Sequence, residues 1–402
     1  MDGMKLIRSI RLENILSYGP KSDALSLEPL NVLIGPNASG KSNLIEVLAL
    51  LAAAPKDLQV PIREGGGVAD WLWKGSKTRP TATIDVTLSP PPQWHMPLRY
   101  RLSFTETASR FDLRDEAIEN EAKTGDYDKP YFYYAYQNGH PALNVRADTE
   151  ENGGRSERRL QREEVSPEQS ILSQRRGADS YPELTYVADR FERMRFYREW
   201  NLGRYTSPRV PQKADLPEDS LLEDASNLGL VLNDLQNRPD VKGEILERLR
   251  AFYDSVTDVT TKIQGGTVQI FFHEEGLKHP VPATRLSDGT LRYLCLLAIL
   301  CHPDPPPVVC IEEPELGLHP DVIPEVAKML VEASTRTQLF VTTHSDMLVD
   351  ALTATPEAVI VCEKVDGSTE LRRLDAAKLK PWLEKYRLGE LWISGEIGGM
   401  RW

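Results

Sequence analysis

The stretch Gly35-Pro36-Asn37-Ala38-Ser39-Gly40-Lys41-Ser42 decides the fold, because it fits the phosphate-cradling pattern G-x-x-x-x-G-K-S. Residues 30–34 before it predict a short buried strand, and residues 43–54 after it predict a helix stopped by Pro55. A strand, a glycine-bearing loop and a helix N-terminus form an anion site, since backbone N–H groups and the helix dipole face the ligand. In such a loop Lys41 reaches the β and γ phosphates and the Ser42 hydroxyl holds Mg²⁺.

Length and composition limit the kinds of protein that this loop can belong to. With 402 residues and 40% hydrophobic content, the chain can bury the core of one large domain with insertions or of two ordinary domains. The net charge of -12 argues against a protein that coats nucleic acid all over, although a local basic patch can still bind phosphate backbones.

The compartment follows from the cysteines and from hydropathy. The four cysteines lie in apolar surroundings without a C-x-x-C pair, which predicts buried thiols rather than disulfides or a zinc site. Residues 1–12 carry charges throughout, and no apolar run approaches the length that spans a bilayer. We expect a cytoplasmic protein that does not insert into a membrane.

Period-two alternation predicts strands around the phosphate loop. Residues 6–12 form an opening strand, and residues 25–27 and 30–34 continue that sheet into the loop. From residue 81 onward, alternating segments predict an antiparallel meander attached to the nucleotide-binding sheet. The aromatic run 131–134 fits a half-buried strand better than a base-stacking platform.

The middle of the chain is rich in arginine. Residues 146–180 predict a mobile loop that carries Arg155, Arg158, Arg159, Arg162, Arg175 and Arg176. A second cluster begins on a helix and comprises Arg190, Arg193, Arg195, Arg198, Arg204 and Arg209. These side chains either contact a phosphate backbone or form a solvated face that pairs with glutamates. Residues 208–217 then predict a linker, and residues 221–256 two helices broken around Pro239.

The C-terminal third supplies a second set of polar groups. Ser287 and Gly289 precede an apolar helix over residues 291–301, which makes another anion site by the same dipole argument. Residues 307–311 predict a buried strand that ends in Glu312 and Glu313, a costly pair of carboxylates unless they bind a cation or share a proton. The strand predicted over residues 338–343 ends at His344, which can hydrogen-bond a γ-phosphate.

The order of these motifs resembles the ABC-type ATPases of the RecF and SMC kind. The matched segments are residues 35–42, 286–290, 311–315 and 343–345. More narrowly, the chain is similar to small stand-alone AAA-type ATPases related to the ATPase half of OLD-family nucleases. The resemblance implies an α/β P-loop ATPase head with a mixed sheet, an antiparallel β-meander and a helical lid insertion. It divides the chain into an ATP-binding lobe (1–145), an Arg-rich loop and lid (146–260), and a lobe with the signature, the Walker B acids and the histidine switch (261–402).

The same resemblance implies roles for individual residues. It implies a head-to-tail dimer in which each ATP is held by one subunit's phosphate loop and capped by Ser287 and Gly289 of the other. Residues 316–320 would touch the opposite subunit. The nucleotide-binding set is Gly35, Asn37, Gly40, Lys41, Ser42, Ser287 and Gly289. Ser42 and Glu312 would hold Mg²⁺, Glu313 would be the general base, and His344 would sense the γ-phosphate.

Three positions depart from the family pattern. Asp288 replaces the first glycine of the signature, and because a carboxylate near a triphosphate is repulsive we expect it to point away. Glu312 stands where the family usually has aspartate. A Q-loop glutamine has only two candidates, Gln169 and Gln174, both in an irregular stretch.

Several functions are compatible with this pattern. The leading hypothesis is an ATP-driven homodimer or higher homo-oligomer that serves as sensor or scaffold for a separate nuclease or TOPRIM-type effector in prokaryotic defence against phage. The alternative is a RecF-like clamp of DNA repair that binds DNA through the arginine clusters. The motor of a membrane transporter is disfavoured, because the meander and the lid exceed what such a motor needs.

Overall fold

The computed structural model describes residues 3–123, 129–137, 140–146, 155–159, 165–166 and 168–399. The strands are β1 (Ile7–Glu13), β2 (Leu25–Ser26), β3 (Leu30–Ile34), β4 (Ala82–Leu88), β5 (Leu98–Thr107), β6 (Arg110–Asn120), β7 (Phe132–Gln137), β8 (His140–Arg146), β9 (Arg155–Arg159), β10 (Arg195–Tyr197), β11 (Gln212–Lys213), β12 (Val256–Gln264), β13 (Thr267–Glu274), β14 (Val281–Pro282), β15 (Val308–Glu312), β16 (Gln338–Thr342), β17 (Val359–Val365) and β18 (Ser368–Arg373). The helices are α1 (Lys41–Ala53), α2 (Gln59–Glu64), α3 (Val68–Trp71), α4 (Ile171–Gln174), α5 (Pro182–Glu192), α6 (Leu228–Gln236), α7 (Pro239–Phe252), α8 (Asp288–Leu300), α9 (Ile323–Ala333), α10 (Asp346–Ala351), α11 (Ala376–Leu383) and α12 (Leu388–Ile393).

A six-stranded sheet organises the chain, in the order β10-β15-β16-β3-β17-β18. Its first five strands are parallel and β18 pairs antiparallel with β17. Every residue of β3 and of β16 is buried, as expected for strands covered on both faces. Because the strands are parallel, the segments that follow β3, β15 and β16 meet at one edge of the sheet.

A separate antiparallel sheet has the order β2-β1-β4-β5-β6-β7-β8-β9. It confirms the predicted meander, and β7 confirms the strand predicted from the aromatic run. The prediction that residues 6–12, 25–27 and 30–34 share one sheet is wrong. β1 pairs with β2 and β4, so both of its edges are satisfied within the antiparallel sheet, whereas β3 lies between β16 and β17.

Two hydrophobic clusters flank the six-stranded sheet. Alternate residues of β3 belong to different clusters, with Leu33 on one face and Val32 on the other. Helix α1 and the antiparallel sheet cover the Leu33 face, while α6, α8, α9 and the small sheet β11-β13-β12 cover the Val32 face. The six-stranded sheet takes strands from all three segments predicted from the sequence, and that division stays a prediction.

The middle of the chain is more ordered than the sequence predicts. The described part of residues 146–180, predicted as a mobile loop, contains β9 and α4; Arg162 lies outside the described residues. Helix α4 is held by the buried Glu116, whose Oε2 accepts a hydrogen bond from the Ile171 N–H at 2.9 Å. The predicted linker 208–217 includes β11, which pairs with β13. The two predicted helices are confirmed as α6 and α7, and Pro239 is the first residue of α7, where its missing N–H costs nothing.

Two further predictions concern compartment. All four cysteines are buried and free, as predicted: Cys295, Cys301, Cys310 and Cys362. Among the described residues, no helix combines the length and apolar character needed to cross a bilayer. The cytoplasmic location stays a prediction.

Candidate active site

The phosphate loop (residues 35–42) joins β3 to α1, as the motif predicts. Gly35 has φ 148°, and a Cβ there would lie 2.2 Å from the Cys362 carbonyl oxygen, so only glycine fits. Lys41 Nζ donates to the carbonyl oxygens of Gly35 at 2.8 Å and Pro36 at 3.2 Å. Burial lowers the pKa of Lys41, although the nearby Cys362, Glu313 and Glu312 act to raise it.

The other loop residues named from the sequence take two positions. Gly40 is the N-cap of α1 with φ 98°, and its carbonyl oxygen accepts a hydrogen bond from the Tyr18 hydroxyl at 3.0 Å. Asn37 lies exposed at the turn of the loop. The loop is therefore fixed to the protein at both ends, while its tip faces outward.

Ser42, in α1 after β3, and Glu312, at the end of β15, approach each other across the end of β16. Ser42 Oγ lies 3.4 Å from Glu312 Oε2, although their positions in the chain are 270 residues apart. A hydroxyl and a carboxylate are oxygen donors of the kind that Mg²⁺ prefers. The residues present thus fit the metal that the sequence predicts here.

Arg198 also contacts Glu312, and the sequence analysis did not assign it to this site. Its Nε donates to Glu312 Oε1 at 3.0 Å and its Nη2 donates to Glu46 Oε1 at 3.2 Å. Arg198 directly follows β10, which runs parallel to β15, so it reaches the same edge as the acids. Arg198 and Glu312 share one sequence feature, a charged residue at the end of a short strand. The strand before Arg198 is only three residues long, however, which is too short for its periodicity to be recognised.

Arg198 also borders a cavity of about 810 Å³ beside the phosphate loop's helix. The cavity wall carries the carboxyl groups of Glu46, Glu64, Glu199, Glu223, Asp224 and Glu312. Arg198 thus supplies positive charge to a strongly acidic wall, and its removal would leave Glu312 and Glu46 without this partner.

Glu313 lies beyond β15 in a left-handed conformation, with φ 47°. Its N–H donates to the Thr342 carbonyl oxygen at 3.0 Å, which holds the strained residue against the end of β16. Glu313 Oε1 lies 3.8 Å from His344 Nε2, so the two sequence-predicted groups are neighbours. Burial and the charge of Lys41 lower the pKa of His344, which favours the neutral imidazole.

Glu315 positions the histidine segment. Its Oε1 accepts hydrogen bonds from the Thr343 hydroxyl at 2.7 Å and from the His344 N–H at 3.0 Å. The sequence places Glu315 within the acidic motif but gives it no task, because its partners come from the next strand. The contact ties the loop after β15 to the loop after β16.

The signature segment begins α8. Ser287 is the N-cap, and its Oγ accepts a hydrogen bond from the Thr290 N–H at 3.0 Å. A Cβ on Gly289 would lie 2.6 Å from the Gly317 carbonyl oxygen, so the helix start packs directly on the loop 316–320. In the described part of the chain, no hydrogen bond joins Ser287 to the phosphate loop of its own subunit.

Asp288 has a cationic partner that the sequence analysis did not identify. The buried Arg209 donates to the Asp288 carboxylate and to the Leu286 carbonyl oxygen, and its Nη2 donates to the Leu202 carbonyl oxygen at 3.1 Å. This pairing offsets the negative charge of Asp288, which stands where the family pattern has an uncharged glycine. It also fixes the backbone before Ser287.

A cation–π contact connects the signature helix with the acids. The Arg292 guanidinium lies 5.1 Å from the centroid of the Trp200 ring, and Arg292 Nη1 donates to the Glu313 carbonyl oxygen at 3.3 Å. Trp200 Nε1 in turn donates to the Glu312 carbonyl oxygen at 3.1 Å. Both backbone carbonyls of the acidic pair are therefore held by side chains of other segments.

The two glutamines proposed for a Q-loop lie elsewhere. Gln174 Nε2 donates to the carbonyl oxygens of Ser166, Gln169 and Ser170 within its own segment. Neither glutamine has a described hydrogen bond to the site, whereas Arg198 contacts Glu312 directly. Of the second arginine cluster, Arg198 and Arg209 are committed to the site region and cannot serve as an open nucleic-acid face.

Comparison with known proteins agrees with this architecture. The family model described as "AAA domain, putative AbiEii toxin, Type IV TA system" matches residues 30–350. No curated protein sequence matches the chain. Among solved structures, the SmcHead bound to the C-winged helix domain of ScpA has a TM-score of 0.59 at 14% identity, covering 93% of this chain and 99% of that one. The Smc head domain with an extended coiled coil, bound to the C-terminal domain of ScpA and derived from Pyrococcus furiosus, has a TM-score of 0.57 at 13% identity, covering 94% and 99%.

At these identities the structural likeness shows the fold, which is that of an SMC-type P-loop ATPase head. The family model covers most of the chain and includes the phosphate loop, the acidic pair and His344. The chain belongs to this AAA-domain family.

Proposed function

We propose that the protein binds ATP with Mg²⁺ and hydrolyses it to ADP and phosphate. The observation that carries the proposal is the meeting of Lys41 and Ser42, Glu312 and Glu313, and His344 at the ends of three adjacent parallel strands. These are the parts that phosphoryl transfer to water needs: a phosphate cradle, a metal site and a base.

Each side chain has a task in this proposal. The backbone N–H groups of the phosphate loop and Lys41 bind the phosphates, while Ser42 and Glu312 hold Mg²⁺. The metal neutralises charge that develops on the phosphate oxygens. Glu313 takes a proton from the attacking water, and neutral His344 donates a hydrogen bond toward the γ-phosphate.

The signature segment supports a composite site. The helix dipole and the N–H groups at the start of α8 favour an anion, yet among the described residues Ser287 has no hydrogen bond to its own phosphate loop. We infer that Ser287 and Gly289 cap the ATP of a second, head-to-tail subunit, with loop 316–320 at the interface. The close contact between Gly289 and Gly317 keeps these two elements together.

The dimer is proposed to act as sensor or scaffold for a separate effector in prokaryotic defence against phage. The family description refers to a type IV toxin–antitoxin system, and the two SMC head structures compared with this chain are each bound to a domain of ScpA. These findings support a partner-binding ATPase. A nuclease or TOPRIM-type effector stays part of the proposal.

The test is mass in solution by light scattering, for wild type and Glu313→Gln, with and without ATP and Mg²⁺. We expect the Gln variant to bind ATP, to lose about 10²- to 10⁴-fold in turnover, and to accumulate as an ATP-dependent dimer. Glu384→Gln, an exposed change of the same type outside the site, is the control and should behave as wild type. A Gln variant that binds ATP but stays monomeric would overturn the composite site.

A further inference from the structure

A second, smaller cavity lies at the opposite end of the nucleotide-binding sheet. It measures about 220 Å³, and its wall includes Arg193, Arg195, Arg238 and His302. Arg195 is the first residue of β10 and pairs in register with Val309 near the start of β15, whereas Arg198 beyond the other end of β10 contacts Glu312. The cavity and the ATP site are therefore separated by the length of these strands.

His302 places a buried donor at this cavity. The residue is 4% exposed, and its Nδ1 accepts a hydrogen bond from the Asp304 N–H at 3.1 Å. Burial and the neighbouring Arg238 lower the pKa of His302, which favours the neutral ring. With Nδ1 accepting, the neutral ring carries its proton on Nε2, and this buried atom has no hydrogen-bond partner among the described residues. A buried N–H without an acceptor is destabilising.

The arginines add donors of the same kind. Arg195 Nη1 donates to the carbonyl oxygens of Glu192 and Met194, but its buried Nε has no described partner. Arg193 is exposed, and its side chain makes no ion pair or hydrogen bond in the described part of the chain. The unmet groups at this cavity are thus donors, and a ligand that satisfies them must bring acceptors.

The charged groups at the cavity wall are arginines and aspartates. Arg193, Arg195 and Arg238 face two aspartates, Asp219 and Asp304, both of them exposed. Arg238 is partly engaged, with Asp234 at 3.1 Å and Asp304 at 3.7 Å. With Asp234 counted, the three arginines meet three aspartates, so it is the two unmet donors that match an oxyanion with several acceptor oxygens.

We propose that this cavity is a second phosphate site, distinct from the ATP site, in which His302 Nε2, Arg195 Nε and Arg193 bind a phosphate group. The group comes either from a small phosphate compound or from a nucleic-acid backbone, which present the same oxygens. Binding there would satisfy the buried donors that the folded chain leaves open.

The test uses full-length protein with Lys41→Ala, which suppresses phosphate binding by the phosphate loop. Inorganic phosphate is titrated by calorimetry, and a short DNA duplex by fluorescence anisotropy at several salt concentrations. Arg193→Glu and His302→Gln are then added singly. Arg204→Glu is the control, because it makes the same charge change at an exposed residue outside the cavity.

We expect Arg193→Glu and His302→Gln each to weaken binding about tenfold or more, with Arg204→Glu within twofold of the parent. Loss confined to inorganic phosphate assigns a small ligand, while a loss of DNA affinity with a shallower salt dependence assigns a nucleic-acid phosphate. The proposal is overturned if neither probe binds, or if neither variant changes binding. ATP binding by the same variants with Lys41 intact reports on the proposed ATP site separately.

Discussion

Replacing Arg198 by glutamine should lower the Mg²⁺ concentration that the ATP site requires. Arg198 occupies one oxygen of Glu312 and leaves the other facing Ser42, so it competes with any cation for that carboxylate. Glutamine removes the positive charge but keeps an N–H donor at the same number of bonds from Cα as the arginine Nε. The metal would then meet a carboxylate with its full negative charge.

The size of the effect follows from the contact. At the 3.0 Å between Arg198 Nε and Glu312 Oε1, two unit charges attract by about 1.4 kcal/mol at the dielectric constant of water and about 5 kcal/mol at a value of 20. The Arg198 side chain is 33% exposed and that of Glu312 18%, so solvent screens the pair and the lower figure applies. About 1–1.4 kcal/mol corresponds to a fivefold to tenfold lower half-saturating Mg²⁺ concentration.

The assay measures binding of a fluorescent ATP analogue as Mg²⁺ is varied, so that it does not depend on turnover. Arg198→Lys is the matched control, because it keeps the positive charge and loses the planar fork. Its Mg²⁺ requirement should stay close to that of wild type.

Two results would refute this reasoning. An unchanged Mg²⁺ requirement in Arg198→Gln would mean that the ion pair does not limit metal binding. A higher requirement, shared by the Lys variant, would mean that the guanidinium acts chiefly by orienting Glu312 rather than by its charge.

Three further predictions address stability, the signature segment and backbone strain. Burial raises the pKa of Glu116 from 4.5 to about 7. Its contribution to the free energy of unfolding is therefore full below pH 4.5 and is lost, by about 3 kcal/mol, as pH rises through 7. Glu116→Gln should remove this pH dependence from thermal unfolding measured between about pH 5 and 8. Arg209→Met leaves the Asp288 carboxylate without its cation at the helix start that is proposed to cap the partner's ATP, and we expect ATP-dependent dimerisation to weaken about tenfold by light scattering, with recovery on adding Asp288→Asn. Glu313→Asn and Glu313→Gln should both lower turnover about 10²- to 10⁴-fold, but Asn tolerates the φ of 47° better, so the Asn variant should melt about 1 °C higher by calorimetry.

The motifs of the site could be predicted from the sequence because parallel strands make them converge. The phosphate loop, the acidic pair and His344 each lie at the end of a short, mostly apolar strand, and such strands are recognisable without knowing their neighbours. Once the strands are parallel, their following residues must share an edge, so distant positions in the chain meet there.

Pairings fixed by tertiary packing could not be predicted in the same way. The sequence shows Asp288 as an isolated acid in a helix start, and its partner Arg209 is 79 residues away in a segment without periodicity. Residues 25–26 form a strand of only two residues, Leu25 and Ser26, so no local pattern indicates that it pairs with β1 rather than with β3. Glu116 is a charged residue in an alternating strand, and nothing local indicates that α4 covers it.

The arginines of residues 190–209 show why composition alone could not decide their role. As a cluster they suggest one basic face, but β10 is only three residues long and carries arginine to both of its ends. Arg195 lines the small cavity at the start of the strand, and Arg198 contacts Glu312 beyond its end. Phe196 and Tyr197, which lie between Arg195 and Arg198, are buried in the core. A shift of β10 along β15 would therefore move both arginines together. The same short strand therefore positions one arginine at each of the two phosphate sites that we propose.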